Sequence, residues 1–83
     1  MRSKSPLTLD QKWRLKFGKN MEALILKAGY NSVYDFWNKK ARDDISRAAI
    51  NLIVAGKSDP KISTLRTLGR LLQIEEAVFF ELD

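Results

Sequence analysis

Arg47 and Asn51 stand about one helical turn apart in the sequence, and each side chain can form two parallel hydrogen bonds to one base. Arginine pairs in this way with guanine O6 and N7, and asparagine with adenine N6 and N7. Ala48 and Leu52 present methyl groups of the kind that contact thymine. We therefore expect these four side chains to contact base edges in a major groove. The alternatives are a solvated or phosphate-bound Arg47, an ordinary exposed Asn51 and a Leu52 packed in the core.

A short predicted helix must position these side chains. Ser46 is a residue type that caps helix starts, and Ile50 and Ile53 fall one turn apart on a predicted buried face. Gly56 supplies the left-handed conformation that commonly follows a helix, and Pro60 prevents the helix from continuing. A helix docked through Ile50 and Ile53 leaves its opposite face available for DNA.

Polar and cationic residues around this helix are candidates for contacts with the phosphate backbone. Lys57 and Lys61 flank the loop that follows it, where a cation can neutralise a phosphate. The full set of expected phosphate contacts is Ser32, Ser46, Lys40, Lys57 and Lys61. Residues 1–7 are basic and aperiodic, so we expect a flexible arm whose Arg2 and Lys4 enter a minor groove. The alternative for such charges is a solvated face.

The first helix is predicted to be long. Thr8 and Gln11 have the capping-box spacing, and apolar residues then recur every three or four positions until Gly29. Gly18 interrupts this pattern at a cost of about 1 kcal/mol relative to alanine. A bend there, or a later start near Phe17, is therefore a second possibility.

Further helices complete the prediction. Ser32 caps a second helix that stops at the charged residues 42–44, and the last two helices are predicted over residues 62–73 and 75–82. No segment alternates in the way that a strand does. The expected fold class is all-α, with five helices in a single domain over residues 8–83.

Composition narrows the classes of function. The 83 residues contain no cysteine and no histidine, which leaves no thiolate nucleophile, imidazole base or usual structural zinc ligand. We expect a protein that is not an enzyme and that uses no metal, cofactor or small-molecule ligand. Because the sequence has neither a long apolar run nor a secretory leader, we expect a cytoplasmic protein that does not contact membranes.

Charge is distributed unevenly. The net charge is +5, and all 15 lysines and arginines precede residue 75. The last nine residues contain only acidic charges, at Glu75, Glu76, Glu81 and Asp83. The basic part suits a polyanion, whereas DNA would repel the acidic end. The alternative is a moderately basic, solvated surface.

The order of these elements resembles the Cro/C1-type (XRE) family of helix-turn-helix repressors over residues 17–82. The resemblance rests on Phe17-Gly18 with Met21 and Leu24, on Ala28-Gly29-Tyr30-Asn31-Ser32 and, above all, on Gly56-Lys57-Ser58-Asp59-Pro60. It implies a lambda-repressor-like helix-turn-helix domain with an extended first helix. It also implies a transcriptional regulator that binds double-stranded DNA as a homodimer on a roughly palindromic operator. Residues 74–81 are similar to the end of restriction-modification controller proteins, which belong to the same family.

The sequence also departs from the family pattern. Many members pair an arginine of the first helix with a glutamate of the third, and Ile25 and Val54 stand at those positions here. Because both have become apolar together, no lone charge is buried, and we expect an apolar contact instead. Val33 replaces a glutamine that often contacts phosphate, and Asp43 and Asp44 replace the usual glycine turn.

The last predicted helix carries more apolar surface than one small core needs. Val78, Phe79 and Leu82 are expected to pair with a second copy, which would place two recognition helices about 34–36 Å apart. The alternative is that these side chains complete the core of one chain. A second function class also stays open, namely a protein-interaction or membrane-surface module, because residues 12–27 predict a basic, amphipathic helix.

Overall fold

A computed structural model describes residues 8–75 and 78–79, and regular structure in this part of the chain is entirely helical. Its α-helices are α1 (Leu9–Lys27), α2 (Val33–Phe36), α3 (Arg47–Val54) and α4 (Ile62–Leu72). No strand occurs among the described residues, which confirms the all-α fold class. The fifth helix expected over residues 75–82 lies mostly outside the described residues.

α1 begins where the sequence predicts it. The Thr8 hydroxyl oxygen accepts a hydrogen bond from the Gln11 amide at 3.1 Å, and Gln11 Oε1 accepts one from the Thr8 amide at 2.8 Å. This reciprocal pair satisfies two amides that a helix start leaves without partners. The helix runs through Gly18 without interruption and is followed by Gly29 at φ 106°. The later start near Phe17 is therefore wrong.

Gly18 marks a close approach between α1 and α3. A Cβ atom added to Gly18 would overlap the carbonyl oxygen of Val54 and would lie 2.7 Å from that of Ile53. Gly56, beyond the end of α3, is equally close to α1, since a Cβ there would lie 2.8 Å from the Leu15 side chain. Glycine permits both approaches because it has no Cβ. The carboxyl end of α3 is thereby fixed against α1.

The connection between α2 and α3 is wider than a simple turn. A π-helical turn over Trp37–Ala41 continues α2, and its last residue is completely buried. The Ala41 carbonyl accepts hydrogen bonds from the amides of Asp44 and Ile45. The Trp37 indole N–H donates to the Ile45 carbonyl at 2.7 Å, which ties the connection back to the helix. Because π-helical turns hold more residues per turn than α-helical ones, this segment accommodates a longer connection.

The sequence predicts both ends of α3 correctly. The Ser46 hydroxyl oxygen accepts a hydrogen bond at 3.0 Å from the amide of the third helical residue. At the other end Gly56 has φ 75°, and its amide donates to the Ile53 carbonyl. The Lys57 amide donates to the Leu52 carbonyl at 2.9 Å, which completes a Schellman motif.

α4 packs through leucines. Leu65, Leu68 and Leu72 are buried, whereas Leu71 is only partly buried. The helix is followed by Gln73 in the left-handed conformation at φ 59°. Among the described residues, Gln73 is the only non-glycine residue with a positive φ.

One hydrophobic core joins the helices. Its fully buried aromatic side chains are Phe17, Phe36 and Phe79. The Phe17 ring meets the Phe79 ring edge to face, with centroids 6.0 Å apart, a favourable arrangement for aromatic pairs. Ile25 lies in this core and Val54 packs against it, so both positions have the apolar surroundings that their sequence predicts.

The position of Phe79 corrects the expected dimer interface. Its side chain is 0% exposed because the ring fills the core of its own chain. A second copy could bury no further surface of this residue, so its assignment to a dimer interface is wrong. Val78 is half-buried, and Leu82 lies outside the described residues. The Asn20 amide group donates to the carbonyls of Val78 and Phe79, which holds this segment against α1.

Candidate nucleic-acid interface

The outer face of α3 brings together the residues expected to contact bases. The exposed members of this face are Arg47, Ala48, Asn51 and Leu52. Ile50 and Ile53 are buried on the opposite side, so the predicted division of the helix into two faces is confirmed. Leu52 is 46% exposed, and the alternative that it packs in the core is therefore wrong. Two hydrogen-bonding side chains thus alternate with two apolar ones on one accessible surface.

Arg47 has an aromatic partner that sequence reasoning missed. The centre of its guanidinium lies 4.6 Å from the centroid of the Tyr34 ring, which is the geometry of a cation–π contact. Tyr34 is in the first turn of α2 and is 49% exposed. The sequence offers one signal for this role, since Tyr34 falls outside the apolar pattern of its helix. Its partner in α3 depends on how the two helices cross.

The loop after α3 places two lysines beside the same helix. Lys57 is fixed relative to Leu52 by the Schellman hydrogen bond, and both Lys57 and Lys61 are exposed. Asp59 lies between them in sequence, and its carboxylate is 3.2 Å from the Arg14 guanidinium. Such an exposed ion pair contributes little to stability, but it offsets a negative charge that would repel phosphate.

Ser32 and Ser46 are both exposed helix caps. The hydroxyl oxygen of each accepts a hydrogen bond from an amide in the first turn of its helix. A hydroxyl group has one hydrogen to donate in addition, so capping is compatible with the expected donation to a phosphate oxygen.

The start of α2 contains a carboxylate with a perturbed pKa. Asp35 accepts a hydrogen bond from the Asn31 amide at 2.9 Å and lies 3.1 Å from the Lys39 ammonium group. The Asn31 amide hydrogen bond, followed by the contact with Lys39, lowers the pKa of Asp35 below its ordinary value. Asp35 therefore stays charged at neutral pH and orders the segment that precedes Tyr34.

The other residues expected to contact DNA are Lys40, Arg2 and Lys4. Lys40 lines a cavity of about 200 Å³ with Tyr30 and Gln73, near the ends of α1 and α4. Lys40 is exposed, and its contact with phosphate stays a prediction. Arg2 and Lys4 of the predicted arm lie outside the described residues.

Within the described part of the chain, the His, Cys, Asp and Glu side chains form no group of three or more that could hold a metal ion. None of its helices combines the length and hydropathy needed to cross a membrane.

Comparison with known proteins gives no family for the chain. No family model matches it, and no curated protein or solved structure matches it. A function is therefore inferred from the exposed face of α3 and its surroundings.

Proposed function

We propose that this chain is a transcriptional regulator that binds double-stranded DNA sequence-specifically, as a homodimer on a roughly palindromic operator. The observation that carries the proposal is the exposed face of α3, with Arg47, Asn51 and Leu52 on one side of a helix whose other side is buried. Regulation follows from occupancy of a promoter, and no chemical step is required.

The dimensions of α3 support this proposal. Its eight residues rise about 12 Å, and a single α-helix fits the major groove of B-DNA. The contact with α1 at Gly18 anchors the carboxyl end of α3, so its outer face projects from a fixed support. A rigid support matters because base contacts need defined geometry.

Phosphate contacts would set the position of α3 on the duplex. Ser32 and Ser46 begin α2 and α3, and Lys57 and Lys61 follow α3, so candidate phosphate contacts lie on both sides of the base-reading face. Phosphate contacts fix register, whereas contacts to base edges supply sequence preference. Arg47 and Asn51 are the residues that we assign to guanine and adenine.

The packing of α1 disfavours the protein-interaction or membrane-surface alternative. The apolar side of α1 carries Phe17, Met21 and Ile25, each no more than 1% exposed. A membrane or partner helix would need that side to be accessible. The side of α1 that stays accessible carries lysines together with three separate exposed leucines, Leu9, Leu15 and Leu26.

Selection of bound duplexes from a random DNA pool at near-physiological salt tests the proposal directly. We expect the sequenced pool to be enriched in an inverted repeat, as a two-fold dimer requires. Binding that disappears with added salt and enriches no motif would show nonspecific charge attraction and would defeat the proposal.

Two single substitutions separate base reading from phosphate binding. We expect Arg47→Ala to weaken binding to the selected duplex about 5- to 150-fold per half-site, the range for losing one bidentate base contact, with a smaller effect on unrelated DNA. Lys57→Ala should weaken both and reduce the slope of log K against log salt by about 0.9 per half-site. Lys19→Ala, on the exposed outer side of α1, removes the same charge as a control. Equal losses on both duplexes for Arg47→Ala would contradict its base-reading role.

A further inference from the structure

Arg47 lies at the end of a series of contacts that starts in the α2–α3 connection. The Trp37 indole is fixed by its hydrogen bond to the Ile45 carbonyl at 2.7 Å. The Tyr34 ring lies beside the Trp37 ring, with centroids 5.9 Å apart, and the Arg47 guanidinium lies over Tyr34 at 4.6 Å. The orientation of an exposed arginine is thus connected to the backbone of the turn.

Stability of α3 does not explain an arginine at this position. Arg47 is the first residue of α3, where a cation is opposed by the positive end of the helix dipole. No carboxylate lies in the first turn of this helix. The favourable contact that the structure gives to the guanidinium is the π face of Tyr34.

An arginine held in one orientation binds a base at a lower entropic cost. A free arginine side chain samples many rotamers, and most of them are lost when it forms two hydrogen bonds to one guanine. An aromatic face restricts these rotamers before DNA arrives, while the planar edge that carries the N–H groups stays available. Preorganisation of this kind raises affinity without adding a contact to the ligand.

We infer that Tyr34 is a positioning residue that sets the sequence specificity of this chain, because its ring preorders Arg47 for a bidentate contact with guanine. The inference rests on the proposed function and assigns a role to a residue of α2 that does not itself read a base. The ring is the active group, so the hydroxyl is dispensable.

A double-mutant cycle on Tyr34 and Arg47 tests this role. The probes are the duplex that wild-type chain enriches from a random pool and a scrambled duplex of the same composition. We expect Tyr34→Leu to weaken binding to the enriched duplex about two- to five-fold per half-site, as exposed cation–π contacts contribute about 0.5–1 kcal/mol each. It should have no such effect on the scrambled duplex or in the Arg47→Ala background. Tyr34→Phe, which keeps the ring, should bind like wild type.

A matched control comes from the cation–aromatic contact between Trp37 and Arg42, in the segment that follows α2. The Arg42 guanidinium lies 5.9 Å from the Trp37 ring, and Arg42 precedes the first turn of α3. Arg42→Ala removes a cation from an aromatic face in the α2–α3 connection. We expect it to weaken binding to both duplexes by the same factor, since it acts through charge alone.

Nuclear magnetic resonance of the free protein reports the contact without DNA. A guanidinium over an aromatic ring experiences a ring current, so the Arg47 side-chain protons should be shifted upfield in wild type and in Tyr34→Phe. The shift should disappear in Tyr34→Leu. Since Tyr34 is 49% exposed, these variants are expected to fold normally, which their unchanged amide spectra would show.

The outcomes are distinguishable. A wild-type chain that enriches no motif would overturn the proposed function, and the specificity role with it. A wild-type chain with a clear motif whose affinity is unchanged by Tyr34→Leu would overturn this inference alone. Equal losses for Tyr34→Leu in the wild-type and Arg47→Ala backgrounds, or a loss for Tyr34→Phe, would also overturn it, since Tyr34 would then contact DNA itself.

Discussion

A single carboxylate, that of Asp35, orders the start of α2. It accepts the Asn31 amide hydrogen bond at the point where the chain enters the helix, and it pairs with Lys39 one turn later. The Asp35 amide in turn donates to the Ser32 hydroxyl at 3.0 Å. In the usual capping box, the side chain of the third helical residue accepts a hydrogen bond from the amide of the N-cap residue, here Ser32. In this cap the Asp35 carboxylate accepts from the Asn31 amide, one residue earlier. Tyr34 is placed between the capping residues, so its position depends on them.

The lowered pKa of Asp35 predicts a pH-dependent contribution to stability. A carboxylate whose folded pKa is below the unfolded value stabilises the fold fully above the unfolded pKa, for which 3.8 is the reference. That contribution is lost as pH falls through the lower, folded pKa. We therefore expect Asp35→Asn to reduce the free energy of unfolding at neutral pH, with a difference from wild type that shrinks below about pH 4.

Urea unfolding between neutral pH and about pH 3 measures this difference. Asp43→Asn serves as the matched control, because it removes an exposed carboxylate from the α2–α3 connection. A difference between wild type and Asp35→Asn that is the same at every pH would show that the carboxylate charge is not what stabilises the cap.

Gln73 is a second residue whose backbone conformation has a measurable cost. It holds a left-handed conformation, at φ 59°, that side chains with a Cβ disfavour by about 1–2 kcal/mol. Glycine removes this cost but loses about 0.5–1 kcal/mol in backbone entropy. We expect Gln73→Gly to raise the free energy of unfolding by about 0.5–1 kcal/mol, measured by urea titration. Gln73→Ala keeps a Cβ and should bring no gain; a similar gain for alanine would show that the backbone is not strained.

At the scale of elements, the sequence predicts helix ends well because the signals are local. The hydrogen bonds made by Thr8, Ser46 and Gly56 join groups within a few residues of each other, and each residue type suffices to predict them. The outer face of α3 is equally predictable, because the burial of Ile50 and Ile53 follows from helical periodicity.

Contacts between elements were less predictable from sequence. The Tyr34–Arg47 pair depends on the crossing of α2 and α3, and the π-helical turn between these helices is not predicted from the sequence. The residues around Phe79 have the pattern of an apolar helix face, which does not show what that face contacts. The contact between the Phe79 and Phe17 rings places Phe79 in the core. Lys40 is expected from sequence to contact phosphate from the end of the second helix, and its position beside Leu71 and Gln73 depends on how α4 packs against that segment.

The approach of α1 to α3 is a contact between elements that one substitution can test. Alanine at residue 18 would be better than glycine for an isolated helix by about 1 kcal/mol. Its Cβ would overlap backbone atoms of Val54, which cannot move as a side chain can. We therefore expect Gly18→Ala to lower the free energy of unfolding by about 1–3 kcal/mol, the usual cost of overpacking.

Chemical denaturation gives this value directly, and Lys19→Ala provides the neighbouring control. Lys19 is exposed on the same helix, and its replacement should change stability by no more than about 0.5 kcal/mol. A stabilised Gly18→Ala variant would mean that helix propensity outweighs the steric cost and that α3 is free to shift.

At the scale of the whole molecule, the candidate interface and an apolar groove occupy different places. The candidate interface combines Arg47 with Lys57 and Lys61, whereas a groove of about 290 Å³ lies between the end of α1 and Val78. The groove is lined by Leu24, Lys27, Ala28, Leu72, Ile74 and Val78. A chain of 83 residues is near the lower size limit for one independent core, so burial of this apolar surface between two copies would add stability. We therefore place the proposed dimer contact at the groove, with Val78 retained and Phe79 excluded.

A charge introduced at Val78 tests this dimer. Val78 is half-buried at the groove, whereas the adjacent Phe79 is fully buried in the core. Val78→Glu should therefore leave the fold intact, and its charge should oppose the pairing of two grooves. Sedimentation equilibrium should show wild type at twice the 9.5 kDa chain mass and Val78→Glu shifted towards 9.5 kDa. Binding to an inverted repeat should weaken because the two half-sites are then filled independently.

Leu26→Glu introduces the same charge at an exposed leucine that does not line the groove, and it should stay dimeric. The dimer would be wrong if the wild-type chain sediments at 9.5 kDa even at the concentrations that saturate DNA. Each copy would then recognise one half-site independently.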